Sequence, residues 1–266
     1  MATEFTGTGD PARSMALLWR TPPGADSRPG PKTTLDVDRI VAAAVALADA
    51  DGLSALSMRR VAAELGVAAM TLYTHVPGKG ELLDLMLDAV LGELHPDERL
   101  LTAGPWRARL EALARANWDF FLRHPWALHV STGRPPLGPG LMRKYELELR
   151  AVDGLGLPEV QMDLLVTLVN GFVRGTVGGV HEKAAAERVT GISEDQWWAA
   201  TEPYVAQVFD AERFPTAARV GPVAGEELGA YDPRRSFEFG LARLLDGIGV
   251  LVDTGPAGLS AGGTPT

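Results

Sequence analysis

Two short helices joined through a glycine constrain this chain more than any other feature. Ser57 can cap a first helix ending at Leu65-Gly66, and a second runs from about Ala68 to His75 before Pro77-Gly78 closes it. Helices that meet steeply across so short a turn pack backbone to backbone, so the crossing needs a small side chain, which Ala62 supplies. Gly66 falls at the turn, where a left-handed backbone costs glycine least. Val61, Leu65, Val67 and Leu72 are the apolar positions that lock the pair. The pattern is a helix-turn-helix, whose second helix presents its first residues to a DNA groove.

The charge distribution agrees with that reading. A net charge of −9 over 266 residues excludes a chain that coats nucleic acid indiscriminately. From Ser57 to Gly80, however, Arg59, Arg60 and Lys79 stand against Glu64 alone. That local basic window is what a sequence-specific reader requires. There is no cysteine, which removes disulfides, zinc fingers and thiol catalysis and suits a reducing, cytoplasmic setting. No apolar run follows a basic start, so no secretory signal is expected. The most apolar stretch, Leu164 to Val180, is interrupted by Arg174, which argues against a membrane span. Ser131, Ser193 and Ser236 lack a nucleophile-elbow setting, and neither paired carboxylates nor a phosphate loop appears. The reading is therefore a non-enzyme without cofactor or metal.

Helical periodicity extends along the chain. Ile40, Val41, Ala44, Val45, Leu47 and Ala48 recur at helical spacing after Asp36 or Asp38, until Gly52 stops the run. Lys79 or Gly80 opens a further helix whose apolar face, Leu82, Leu83, Leu85, Met86, Ala89, Val90 and Leu94, reaches about His95. More helices are expected at about 105–124, 139–154, 158–185, 194–212 and 234–252, with a long loop at 214–233. The fold class is all-α. The expected organisation is a flexible tail over 1–32, a helix-turn-helix domain of three helices over 33–80, a larger helical ligand-binding and dimerisation domain over 81–253, and a disordered tail over 254–266. Arg28 and Lys32 flank Pro29-Gly30-Pro31 and read either as a linker or as a basic arm for a minor groove.

Residues 36–95 resemble the DNA-binding domain of the tetracycline-repressor (TetR) family, through Thr71-Leu72-Tyr73, His75-Val76, Lys79 and Leu82-Leu83-Asp84. The resemblance implies a homodimer on a pseudo-palindromic double-stranded operator, released by a small molecule bound in a following helical domain. Ala69, Met70 and Thr71 begin the recognition helix. Thr71 can hydrogen-bond a base or phosphate, while Ala69 and Met70 offer only apolar contact. Tyr73, Thr74, His75 and Lys79 are placed for phosphates, and Arg59 reaches from the preceding helix. His75 equally well caps the helix end. An activator with the same head, or a ligand-binding module that has lost DNA binding, is the alternative.

A looser likeness to the ligand-binding domain of the tetracycline repressors runs from Trp106 to about residue 252, carried by His124-Pro125, Thr132-Gly133-Arg134-Pro135 and Phe237-x-Phe-Gly-Leu241. It implies that His95 is a pocket histidine and Glu182 a pocket carboxylate. Trp118 and His129 complete the candidate ligand-binding set. Val130 falls where the family places its metal-ligating histidine, so an apolar or aromatic effector is expected in place of a metal–drug complex. The 158–185 helix is apolar nearly all round, and its Gly171, Gly175, Gly178 and Gly179 allow close backbone approach. With the last helix, which carries Phe237, Phe239 and Leu241, it is the candidate for an intersubunit four-helix bundle.

Overall fold

The structure, a computed structural model, describes residues 3–20, 35–95, 97–229 and 231–254. Among the described residues it is all-α apart from one pair of two-residue strands. Arg28, Lys32 and residues 255–266 lie outside the described residues.

Three helices make the head. The first, α2 (Val37–Asp51), is capped by Asp36, whose carboxylate accepts from the Arg39 amide, and it stops at Gly52. Helix α3 (Met58–Glu64) is capped by Ser57, and α4 (Ala69–Tyr73) follows the turn at Gly66, which has φ +66°. Val61, Ala62 and Leu72 are fully buried at the crossing, whereas Leu65 and Val67 are half-buried. Asp49 of α2 anchors the head to the rest. Its Oδ1 accepts from His124 Nδ1 at 2.8 Å and from Trp126 Nε1 at 2.7 Å.

Helix α5 (Lys79–Gly92) belongs to both halves of the molecule. It is buried almost all round, including Glu81, Asp84 and Asp88, while Ala89, expected on its apolar face, is exposed. The carboxylates explain how a helix with polar positions is enclosed, because each accepts hydrogen bonds from a covering segment. Asp88 caps α8 (Pro139–Val152) through the amides of Gly140 at 3.1 Å and Leu141 at 2.8 Å. In return Arg143 of α8 donates to the carbonyls of Gly92 and His95, closing the C-terminal end of α5. The crossing is so close that a Cβ on Gly140 would lie 1.9 Å from the Asp88 carbonyl oxygen.

Asp84 and Glu81 hold a segment that the sequence reading takes for a mobile tail. Strand β1 (Glu4–Phe5) pairs in parallel with β2 (Val130–Ser131), and α1 (Pro11–Leu18) packs on α5. Asp84 accepts from the Gly7 amide at 2.9 Å and the Ser14 hydroxyl at 3.3 Å, and Glu81 accepts from the Asp10 amide at 3.2 Å. Burial raises the Asp84 and Asp88 carboxyls above the usual range, against the pull of these bonds.

A short α6 (Arg99–Thr102) leads to α7 (Trp106–Arg123), which with α8 and α9 (Glu159–Thr190) surrounds the larger core. Helix α12 (Pro233–Thr254) packs along α9 and α7, burying Phe237, Leu241, Leu245 and Ile248. The chain buries only one side of α9, with Leu165, Val166, Val169, Val173 and Val177 inside and Val160, Leu164 and Leu168 open. Added Cβ atoms at Gly171, Gly175 and Gly178 would meet nothing within 4 Å, and Gly179 alone of the four is crowded, by Tyr231. Helix α10 (Glu194–Val208) is followed by α11 (Pro215–Leu228), where a loop is expected. Neither helix buries a residue. No described helix is long and apolar enough to cross a membrane.

Candidate DNA-reading head and effector cavity

Helix α4 opens on residues without polar side chains, Ala68, Ala69 and Met70. Met70 is 73% exposed and Tyr73 44%, with Thr71 and Arg59 also open. Ala69 is instead half-buried against the core, so the first turn of α4 presents less apolar surface than expected. The Thr74 hydroxyl donates to the Thr71 carbonyl at 2.6 Å, which satisfies it within its own helix. His75 is half-buried at the helix end. Arg60 pairs with Asp51, and Lys79 Nζ lies 2.7 Å from Glu4 Oε1. Arg59 and Tyr73 remain open for contact, whereas Lys79 already has an anionic partner.

Behind α5 lies a cavity of about 360 Å³. Leu87 and Leu91 of α5, Phe120 and Phe121 of α7, and Leu141 of α8 form its apolar wall. Thr132, Pro135 and Pro136 of the loop after β2 form a rim. Asn117, Lys144, Asn170 and Arg174 supply the polar lining.

Most of that polar lining converges on one carboxylate. Glu148 is fully buried, and its Oε1 accepts from Asn117 Nδ2 at 3.0 Å and faces His95 Nε2 at 3.3 Å. Its Oε2 accepts from Lys144 Nζ at 2.6 Å and from Asn170 Nδ2 at 3.0 Å. Burial alone would push the Glu148 carboxyl up, but Lys144 and the other donors hold it at about 2. Arg174 reaches across to the carbonyls of Ala127 and Val130, at 3.4 and 3.2 Å, and to that of Leu128, and its guanidinium lies 5.6 Å from the Phe121 ring centroid. The segment before the rim is thereby fastened to α9.

None of the four sequence-selected ligand residues lines this cavity. His95 is buried behind it on Glu148. Trp118 packs against Phe237, with ring centroids 4.5 Å apart. His129 is half-buried on the 3₁₀ turn before β2, and burial lowers its pKa. Glu182 lies in an outer cleft of about 380 Å³ beside Trp197 and Tyr231. That cleft is slightly larger, but it sits on the flank under α10, whereas the inner cavity is walled by four core helices. Sequence reasoning missed Asn117, Lys144, Glu148 and Asn170. Asn117, Glu148 and Asn170 are signalled as polar residues set among apolar ones on helices that must be buried, and Lys144 as the residue four before Glu148 on the same helix. Among the described residues no cluster of three or more His, Cys, Asp or Glu is arranged to hold a metal ion.

Comparison with known proteins bears on both halves. Residues 40–86 match the family model for bacterial regulatory proteins of the tetR family, and residues 100–252 match that for the tetracyclin repressor-like C-terminal domain. The chain is 44% identical over 253 residues to the HTH-type transcriptional repressor DrrR1 of Streptomyces coeruleorubidus, covering 94% of this chain and 90% of that protein. Apo ActR from Streptomyces coelicolor superposes with a TM-score of 0.66 at 29% identity, over 84% of this chain and 99% of ActR. ActR in complex with actinorhodin gives 0.65 at 30% identity, over 81% and 96%.

Proposed function

The chain belongs to the tetracycline-repressor family of transcriptional regulators, and from that premise we propose that it is a homodimeric repressor whose operator is released when a small aromatic molecule fills the inner cavity. The observation that carries this reading is the double membership of α5. One end, at Lys79, adjoins the reading helix, while Leu87 and Leu91 wall the cavity. Whatever displaces the second half of α5 tilts the first, and with it the spacing of two recognition helices that must sit about 34–36 Å apart on DNA. DrrR1 bears the name of a repressor, and ActR has been crystallised with actinorhodin, which supports repression and a small-molecule effector here.

In this reading Arg59, Thr71, Tyr73, His75 and Lys79 serve phosphates or base edges, and Met70 supplies apolar contact. Phe120 and Phe121 stack on the effector, and Lys144 offers a cationic donor for one of its oxygens. Dimerisation uses the open stripe Val160, Leu164 and Leu168 of α9 with Phe239 and Val250 of α12, apolar residues left 48–71% exposed by a single chain. The partners are double-stranded operator DNA, a second copy and the effector.

Selection from a random duplex library with the purified protein tests the reading. It should enrich inverted half-sites one helical turn apart, and failure to enrich any sequence overturns it. Phe121→Ala should keep operator affinity while raising the effector concentration needed for release by about tenfold, the effect of a lost aromatic contact.

A further inference from the structure

The N-terminal segment joins the two ends of the regulatory path directly. On one side Glu4 holds Lys79, the cation at the start of α5 that the DNA reading assigns to a phosphate. On the other, the same strand pairs with β2, and Thr6 reaches the loop that rims the cavity. The Thr6 amide donates to the Ser131 carbonyl at 3.2 Å, and its hydroxyl is 3.0 Å from that oxygen and 2.8 Å from the Arg134 carbonyl. Thr132, Pro135 and Pro136, which line the cavity, lie between and beside these two carbonyls. Further along, Trp19 Nε1 donates to the Leu137 carbonyl at 2.9 Å, and Arg20 pairs with Asp38 of the head.

This packing is a close fit. A Cβ on Gly9 would lie 2.4 Å from Glu81 Oε1, and one on Gly80 would lie 2.5 Å from Thr8 Oγ1. Thr6 is 3% exposed and Leu18 4%. Yet the end of the segment is weakly held, because Glu4 and Lys79 are each more than a third exposed and such pairs are readily broken.

We propose that residues 4–18 form a strap that places the Glu4 carboxylate on Lys79 in competition with DNA phosphate, and that its pairing with the cavity rim makes this competition depend on the state of the cavity. A rim ordered by a bound effector holds the strap docked and Lys79 covered. A loosened rim lets the strap leave, and Lys79 turns to the backbone of DNA. The ion pair exchanges one anion for another, so each subunit gains a modest bias and no absolute lock. The proposal rests on the repressor reading for its DNA partner.

The test uses the full chain and a random-sequence 40-base-pair duplex, so that no operator is needed. Glu4→Gln should bind the duplex about two- to fivefold more tightly than wild type, the scale of one exposed ion pair. The gain should vanish when Lys79→Gln is added, which a general effect of the N-terminus would not do. Thr6→Val, which removes the hydroxyl bonds to the two rim carbonyls, should shift affinity in the same direction. Since the chain has no cysteine, the double substitution Phe5→Cys, Ser131→Cys at paired strand positions gives a reversible lock. Its oxidised form should bind the duplex several-fold more weakly than its reduced form. Unchanged affinity in Glu4→Gln, or a gain that persists without Lys79, overturns the competition. Unchanged affinity in Thr6→Val and equal binding by the two redox forms overturn the link to the rim. Absence of binding by every variant, both to this duplex at low salt and to any duplex enriched in the selection above, would instead remove the repressor reading itself.

Discussion

At the scale of single residues, the buried carboxylate Glu148 organises the cavity floor. Removing it by Glu148→Leu leaves Lys144, Asn117, His95 and Asn170 facing a gap, and breaking a buried ionic network from one side costs about 3–5 kcal/mol. Urea unfolding of that variant should show the loss. The carboxyl is held at about 2 in the fold against an ordinary 4.5. A depressed acid contributes stability in full above its unfolded value and loses it as pH falls through the folded one. Wild type should therefore lose stability between pH 4.5 and about 2 more steeply than Glu148→Gln. On the DNA side, Tyr73→Ala should weaken operator binding by about two- to tenfold, a lost phosphate hydrogen bond, without moving the melting temperature, because Tyr73 is exposed. The cavity's polar lining was not legible beforehand for a plain reason. Asn117, Glu148 and Asn170 sit on three different helices, and only packing brings them together.

At the scale of elements, two glycines separate two kinds of constraint. Gly66 needs its positive φ but has open space around it, so Gly66→Ala should cost about 1 kcal/mol of backbone strain. At Gly140 the obstruction is the backbone of α5 itself. Gly140→Ala must push α5 and α8 apart, and should cost at least the ~1–3 kcal/mol of an overpacked core. Paired thermal melts would show the difference, and a smaller loss at Gly140 would contradict the tight crossing. The helix-turn-helix was legible because its signals are local: a serine cap, a small crossing residue and a glycine turn within one stretch. The strap was not, since β1 is two residues long and its partner strand lies about 125 positions away. Helix α11 hid for the opposite reason. Gly221, Pro222 and Gly225 read as breakers, and they mask the stripe of Ala217, Val220, Ala224 and Leu228, which the chain leaves unburied.

At the scale of the whole molecule, the unfilled requirement is on α9 and α12, whose outer stripes one copy leaves open. Sedimentation equilibrium should find a dimer, and Leu164→Glu should dissociate it and abolish operator binding while leaving helical content unchanged. A variant that stays dimeric would move the interface elsewhere. Helices α10 and α11 lie outside this economy of burial. With no residue enclosed and a proline inside each, at Pro203 and Pro222, they can open without disturbing the core. That makes them the natural point of entry for a protease. Chymotrypsin should cut first around Tyr204, Phe209 and Phe214, exposed aromatics on either side of the α10–α11 junction, and should leave two resistant fragments that stay associated through α9 and α12. If a cellular protease enters by the same stretch, the rate of that first cut, and not the unfolding of the core, will set how long a repressed state outlasts the end of synthesis.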